Sequence, residues 1–253
     1  MEALPLVSCI MPTYGRPDYV SESVAMFLAQ DYPCKELIIL NDCAGQYFTG
    51  EFPNVRVLNQ DARFASLGEK RNACIEMANG SLIAIWDDDD VHLPWRLSYS
   101  LSEMWRLETL FYRPSEIWAY WGHGNLDDSQ TVPGWGNHGS AVFSKDLWRI
   151  VGGYPAMDCG EDAEFFEGIY AELEEPFIKY ELAPVDRFYI LRGTSHYAHM
   201  SMNGGRHPLD TEPSQCPISP VAIGDPILRT ACERLIDARA RDPRVVSESS
   251  SLT

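Results

Sequence analysis

The sequence is poor in positive charge: 20 lysines and arginines stand against 37 aspartates and glutamates, a formal net charge of −17 over 253 residues. A field of that sign repels nucleic acid and anionic membrane, because phosphate binding needs clustered cations. An anionic small molecule would have to be held by a few placed cations or a metal ion. No run of about 18 apolar residues exists, which argues against a membrane-spanning helix, and no charged-then-apolar leader is visible at the start of the chain. The cysteines (Cys9, Cys34, Cys43, Cys74, Cys159, Cys216, Cys232) are odd in number, scattered and free of CxxC pairs. Neither a zinc site nor a disulfide framework is indicated, and a reduced, cytoplasmic compartment is expected. Neither GxxxxGK[ST] nor GxGxxG occurs, so a phosphate cradle of backbone amides is not evident. No internal repeat is present.

What the chain does have is material for a core. Hydrophobic residues make up 45% and aromatics 11%, a globular composition, and a chain of this length buries roughly 70% or more of its unfolded surface. The first part alternates strand and helix. Leu6 to Met11 is an apolar run ending at Pro12, as in a strand buried on both faces. Pro17 stands where a first helical turn tolerates it, and Val20, Val24, Phe27 and Leu28 follow at helical spacing. Further strands are expected over Glu36 to Leu40, Val55 to Leu58 and Leu82 to Trp86. Ser66 to Glu69 has the spacing of a capping box, opening a helix that Gly80 would stop. Such alternation predicts an α/β fold with a mostly parallel sheet covered on both faces.

Ligands in such sheets bind at the carboxyl ends of the strands. Thr13 to Arg16, Asn41-Asp42 and Asp87 to Asp90 each lie just past a strand end, so three polar clusters should share one edge. A helix with Leu97, Leu101, Met104 and Trp105 follows Pro94. Beyond about residue 113 strand-like pieces (Ile117 to Trp121, Ser140 to Ser144, Phe177 to Leu182, Phe188 to Leu191) alternate with loops, an α+β second half joined without a linker. Residues 207–226 hold five prolines; Ile227 to Ala240 suits a helix, and the final Ser/Glu tail is expected to be disordered.

The run Asp87 to Asp90 is the most informative feature. As a bare acidic turn it would be a solvated face. At the end of a buried strand its carboxylates are held close together, at about 1 kcal/mol of repulsion per pair in water and more where water is excluded. A divalent cation is the natural offset, since magnesium binds through one or two carboxylates plus substrate phosphates and manganese has similar preferences.

VSCIMPTYGR (7–16), ILND (39–42), GEKRN (68–72) and IWDDDD (85–90) with Pro94 together resemble, in order and spacing, family 2 glycosyltransferases of the GT-A fold, strongly over about residues 5–110. The resemblance implies a Rossmann-like nucleotide-sugar-binding half (1–110), an acceptor-binding and catalytic half (111–206) and a C-terminal extension (207–253). It implies a donor that is usually a UDP-sugar: Thr13, Tyr14 and Arg16 would surround the nucleotide, Asp42 would contact the base, and Lys70 and Arg71 would face the diphosphate or base. The aspartates match the family's DxD motif, with Asp87 near the ribose and Asp89 as ligand to Mn²⁺ or Mg²⁺; four in a row leave the register open by one, so Asp88 and Asp90 stay in play.

GGYPAMDCGEDAEF (152–165) resembles the ED motif of inverting members, in which a carboxylate, Asp162 or alternatively Glu161, takes the proton from the acceptor hydroxyl. An acidic first helical turn would itself suit the helix dipole. RGTSHYAHMSMNGG (192–205) resembles the loop in which a histidine completes the metal shell; His199, followed by Ser201, matches better than His196. Trp118, Trp121, Trp135 and Trp148 would serve to stack on a sugar or base, or as core. The family's QxxRW motif is absent, which argues against a processive polysaccharide synthase. Small molecules, glycans, lipid-linked glycans, proteins and modified nucleic-acid bases remain open as acceptors. A nucleotidyltransferase of similar α/β build and a non-catalytic nucleotide-sugar or glycan-binding module are the alternative readings.

Overall fold

The computed structural model of the protein describes residues 3–130, 138–173, 181–193 and 214–245. In chain order the elements are β1 (Val7–Thr13), α1 (Pro17–Leu28), β2 (Lys35–Asn41), β3 (Gln46–Thr49), β4 (Val55–Asn59), α2 (Leu67–Met77), β5 (Leu82–Ile85), β6 (Val91–His92), α3 (Arg96–Arg106), β7 (Phe111–Tyr112), β8 (Glu116–Tyr120) and β9 (Asp127–Gln130). A 3₁₀ turn at His138–Ser140 precedes β10 (Val142–Ser144), α4 (Lys145–Ile150), α5 (Glu161–Glu172), β11 (Tyr189–Arg192), β12 (Ser214–Pro217) and α6 (Pro226–Ala240).

The main sheet has the order β4-β2-β1-β5-β10-β7. Its first four strands run parallel, and β10 and β7 add an antiparallel margin. β1 is buried along its whole length, as its largely apolar composition suits in a central parallel strand. The two faces of this sheet pack against separate apolar clusters. One is centred on Val20, Val24, Phe27, Trp86 and Leu97, the other on Ile38, Ile75, Ile83, Phe143 and Phe165. A second sheet, β6-β11-β8-β9, continues from the end of β5, and β12 pairs with β3.

The predicted elements of the first half are all present within a residue or two, with two differences. α2 ends at Met77, three residues before Gly80, because the Lys145 ammonium takes the Ala78 carbonyl at 2.6 Å and supplies the terminus with a partner that no local spacing shows. The short strands β3, β6, β7 and β9 were not foreseen; at two to four residues they are too brief to carry an alternation pattern. Of the piece 177–182, residues 177–180 lie outside the described residues, and Glu181 and Leu182 are not in a strand.

α6 is docked onto the domain. Its N-cap Asp225 accepts from the Ile227 and Leu228 amides and from Tyr120 Oη at 2.8 Å, and Arg239 pairs with Asp186 at 2.7 Å while lying over the Trp95 ring. Just before it, the Gly224 amide donates to Glu22 of α1 at 2.7 Å, and Glu22 also pairs with Arg192 at 2.8 Å.

Ser66 caps α2, its Oγ accepting from the Glu69 amide at 3.2 Å. Ser66→Ala should cost about 1 kcal/mol and lower Tm by roughly 2–4 °C, read by urea and thermal unfolding. An unchanged midpoint would show that α2 is held by its tertiary contacts alone.

Candidate functional site

The parallel strands deliver their carboxyl ends to one edge, where β1, β2 and β5 run out into Thr13, Asn41-Asp42 and the aspartates. The four aspartates alternate. The side chains of Asp87 and Asp89 keep 22% and 27% of their surface exposed, whereas Asp88 and Asp90 are 1% and 5% exposed. The run lies in the turn that links β5 to β6, and each inward carboxylate has found protein partners. Asp88 accepts from Thr13 Oγ1 at 2.6 Å and pairs with Arg16 at 2.5 Å. Asp90 accepts from the hydroxyl of Tyr189 and from the Arg192 amide at 2.8 Å.

Burial, opposed by Arg16 and reinforced by the Asp89 charge, pushes the Asp88 carboxyl up to about 6. Burial, with the charges of Asp89 and Asp87, drives Asp90 well above the usual carboxylate range. Asp87 goes the other way: burial would raise it, but Arg71 holds it low.

Three cations organise the edge. Arg16 spans Asp88 and Asp89, reaching the latter at 2.6 Å. Lys70, 2% exposed, lies behind Asp42, donating to its carboxylate and to the Thr13 carbonyl at 2.6 Å. Burial lowers the Lys70 ammonium, with Asp42 opposing. The other Asp42 oxygen accepts from the Phe64 amide at 3.1 Å; each carboxylate oxygen retains a second lone pair. Tyr14 is buried at this edge with the Arg63 guanidinium 4.8 Å over its ring.

Arg71 joins the two halves of the site, meeting Asp87 at 3.2 Å and Glu161 at 3.3 Å. Glu161 opens α5 and is 4% exposed; burial raises its carboxyl, opposed by Arg71. Its neighbour Asp162 is half-buried, with Oδ1 on the Ala163 amide at 2.9 Å, and its charge is felt by Arg71, Arg113, His138 and Tyr154. The segment before α5 also closes on α2: the Leu67 amide donates to Asp158 at 3.0 Å and the Gly68 amide to the Met157 carbonyl at 3.1 Å. Two of the amides that open α2 are thereby used within the protein rather than held for an anion.

Other participants were not foreseen. His138 bonds through Nε2 to the Tyr154 hydroxyl at 2.6 Å, and Gly139 presses against Asp87, where an added Cβ would stand 2.9 Å from its Oδ2 and 2.1 Å from the Tyr189 hydroxyl. His92, Arg96 and Tyr189 brace the run from beneath. The doublet His92 and Arg96 flanks Pro94 in the sequence, but nothing local distinguishes it from an ordinary helix start. Trp118 is half-buried beneath Arg187, Trp148 donates to Asn72 at 3.0 Å, and Trp121 is exposed and lies against Gly193. Trp135, His196, His199 and Ser201 lie outside the described residues.

Among the described residues no three His, Cys, Asp or Glu side chains converge as a metal cluster would. The accessible carboxylates, Asp87 and Asp89, do fit a hard cation whose shell is completed by substrate phosphates.

Burial, with Arg71 adding to it, holds the His138 imidazole down to about 3. The unfolded chain protonates that ring near 6.5 while the folded chain does not, so its neutral burial stabilises fully above pH 6.5 and progressively less below it, by about 1.4 kcal/mol per pH unit. In His138→Gln that loss is absent. The stability gap between wild type and variant, measured by urea unfolding, should therefore narrow or invert as pH falls from 7 towards 4.5; a constant gap would contradict the burial of a neutral ring.

A model described as glycosyl transferase family 2 matches residues 8–112. The chain is 34% identical over 116 residues to a putative colanic acid biosynthesis glycosyl transferase, WcaA of Escherichia coli strain K12, covering 43% of this chain and 41% of that protein. It is 31% identical over 105 residues to an Escherichia coli UDP-Glc:alpha-D-GlcNAc-diphosphoundecaprenol beta-1,3-glucosyltransferase, WfgD, covering 39% and 41%. The chain thus spans about two fifths of the length of these curated relatives. The crystal structure of S. aureus TarS 1-349 in complex with UDP-GlcNAc superposes with a TM-score of 0.59 at 17% identity, over 78% of this chain and 60% of that one, which shows the fold. The likeness to glycosyl transferase family 2 thus rests on residues 8–112 of the 253.

Proposed function

We propose that the protein is a metal-dependent, inverting glycosyltransferase that moves a sugar from a nucleotide-sugar, a UDP-sugar, to an acceptor hydroxyl. The observation that carries this reading is the alternation of the acid run, in which Asp88 and Asp90 are tied into the protein and Asp87 and Asp89 face out at the sheet edge beside Arg16 and Arg71. The TarS structure that shares the fold is a complex with UDP-GlcNAc, which supports a donor of this class.

Residues 1–110 would hold the donor, with Asp42 on the base, Tyr14 along the nucleotide and Asp87 towards the ribose. Asp89, with Asp87 alongside, would hold Mn²⁺ or Mg²⁺, and the ion would neutralise charge on the departing diphosphate. Arg16 and Arg71 place fixed positive charge beside the same group, where it is most effective if water is excluded. Asp162 takes the proton from the acceptor hydroxyl as its oxygen bonds to the anomeric carbon. The bond from that carbon to the diphosphate breaks, and the nucleoside diphosphate leaves with the electron pair. One carboxylate suffices because no covalent intermediate forms. Glu161 suits this role less well, since Arg71 already engages its carboxylate.

A panel of UDP- and GDP-sugars screened by thermal shift with and without Mn²⁺ should single out a UDP-sugar whose stabilisation grows with the ion, by about 2.7 kcal/mol at a hundredfold excess over Kd. With that donor, Asp162→Asn and Asp89→Ala should each lower turnover by roughly 100-fold or more. Variants that both hydrolyse or transfer as well as wild type would defeat the assignment. Release of pyrophosphate in place of the nucleoside diphosphate would reassign the protein to nucleotidyl transfer, and binding without turnover to a non-catalytic module.

A further inference from the structure

Beneath the acid run lies a cation that the proposed chemistry does not use. Arg96, in the first turn of α3, is 0% exposed, and among the described residues it forms no ion pair with a carboxylate. Burying a guanidinium is costly unless its donors are well met. Here Nη2 donates to the Ile85 carbonyl and to the Gly139 carbonyl at 2.8 Å, Nη1 is hydrogen-bonded to His92 Nδ1, and Nε meets no partner among the described residues. The group lies 4.9 Å over the Trp86 ring and 5.8 Å from the Tyr189 ring.

An arginine has donors only, so His92 Nδ1 must accept and therefore carries no proton. The single ring proton of the neutral imidazole is then on Nε2, which faces the Asp87 carbonyl at 3.1 Å and donates to it. His92 is itself 1% exposed and lies against Trp86 with ring centroids 4.0 Å apart and planes tilted by 36°.

We infer that Arg96 and His92 form a buried positioning relay, in which the arginine fixes the histidine tautomer and the histidine fixes the Asp87 backbone, setting how Asp87 and Asp89 are presented to the donor. The same guanidinium pins the end of β5 through Ile85 and the 138–140 turn through Gly139, and it lies against Tyr189, which holds Asp90. One residue thus braces both ends of the four-aspartate run. Neither Arg96 nor His92 touches the open side of the site, so both act through Asp87.

Glutamine at position 92 reproduces the relay, with Oε1 accepting from Arg96 and Nε2 donating to the Asp87 carbonyl, whereas leucine fills similar space and does neither. The expected result is that His92→Leu, still folded by circular dichroism, binds UDP with Mn²⁺ roughly tenfold or more weakly, the usual effect of removing a group that orients a ligand-holding residue. His92→Gln should stay close to wild type. Equal binding by all three, or equal loss in both variants, would overturn the relay. This binding measurement rests on the donor-site reading above; if wild type binds no nucleotide, that reading fails alone. Imidazole nitrogen NMR decides the relay independently of any ligand. His92 should show an unprotonated Nδ1 in the wild type and lose that preference in Arg96→Met, and the Asp87 to Asp90 amide signals should move in His92→Leu but not in His92→Gln. A proton on Nδ1 in wild type would overturn it.

Discussion

The constraint on which the site depends is electrostatic: four carboxylates follow one another at the end of a buried strand, and the fold must keep them there. Two devices achieve this. Alternation turns Asp88 and Asp90 inward onto Thr13, Tyr189 and the Arg192 amide, while Arg16 and Arg71 stand between the carboxylates. In water such pairs would interact by about 1 kcal/mol each, and more as solvent is excluded, so each cation does more here than a surface ion pair does. The partners come from β1, the loop before α1, α2 and β11, with Arg96 of α3 and the 138–140 turn packed beneath. Holding the charge in place therefore draws most of the fold to this edge.

The same pairing ties the family-matched segment to the remainder of the chain. Arg71 lies within residues 8–112 and Glu161 outside them, and the two meet in a protected ion pair. Met157 and Asp158 occupy the first amides of α2, and Gly68 allows that approach, since a Cβ there would lie 1.8 Å from the Pro155 carbonyl oxygen. Asp162 follows directly on Glu161, the residue that Arg71 links to Asp87. The C-terminal helix adds a further fastening, because Glu22 is shared by Arg192 and the Gly224 amide and Arg192 supplies the amide that holds Asp90.

Much of this was legible in the sequence, and the portion that was not has a physical reason. The strand and helix pattern of the first half carried the sheet and its ligand edge, because buried parallel strands write themselves as apolar runs and their polar residues cluster at the ends. The Ser66 cap was equally plain. Lys70 and Arg71, which the resemblance sets towards the diphosphate or base, are counter-charges of Asp42, Asp87 and Glu161. The orientation of each aspartate could not be read, since four identical residues carry no pattern. The contacts of His92 with Arg96 and Asp87 are local but look like an ordinary helix start, and the supports contributed by His138 and Tyr189 depend on residues far apart in the chain, up to the 99 positions that separate Asp90 from Tyr189. Such contacts leave no mark in local spacing.

The central claim is that the outward pair of aspartates, and not the inward pair, meets the donor and its cation. A crystal structure of the protein with a UDP-sugar and Mn²⁺ tests it most directly. The account predicts the ion on Asp89, with Asp87 beside it and Asp88 and Asp90 still bound to Thr13, Arg16, Tyr189 and the Arg192 amide. An ion held by Asp88 or Asp90, or a nucleotide seated away from this edge, would contradict it.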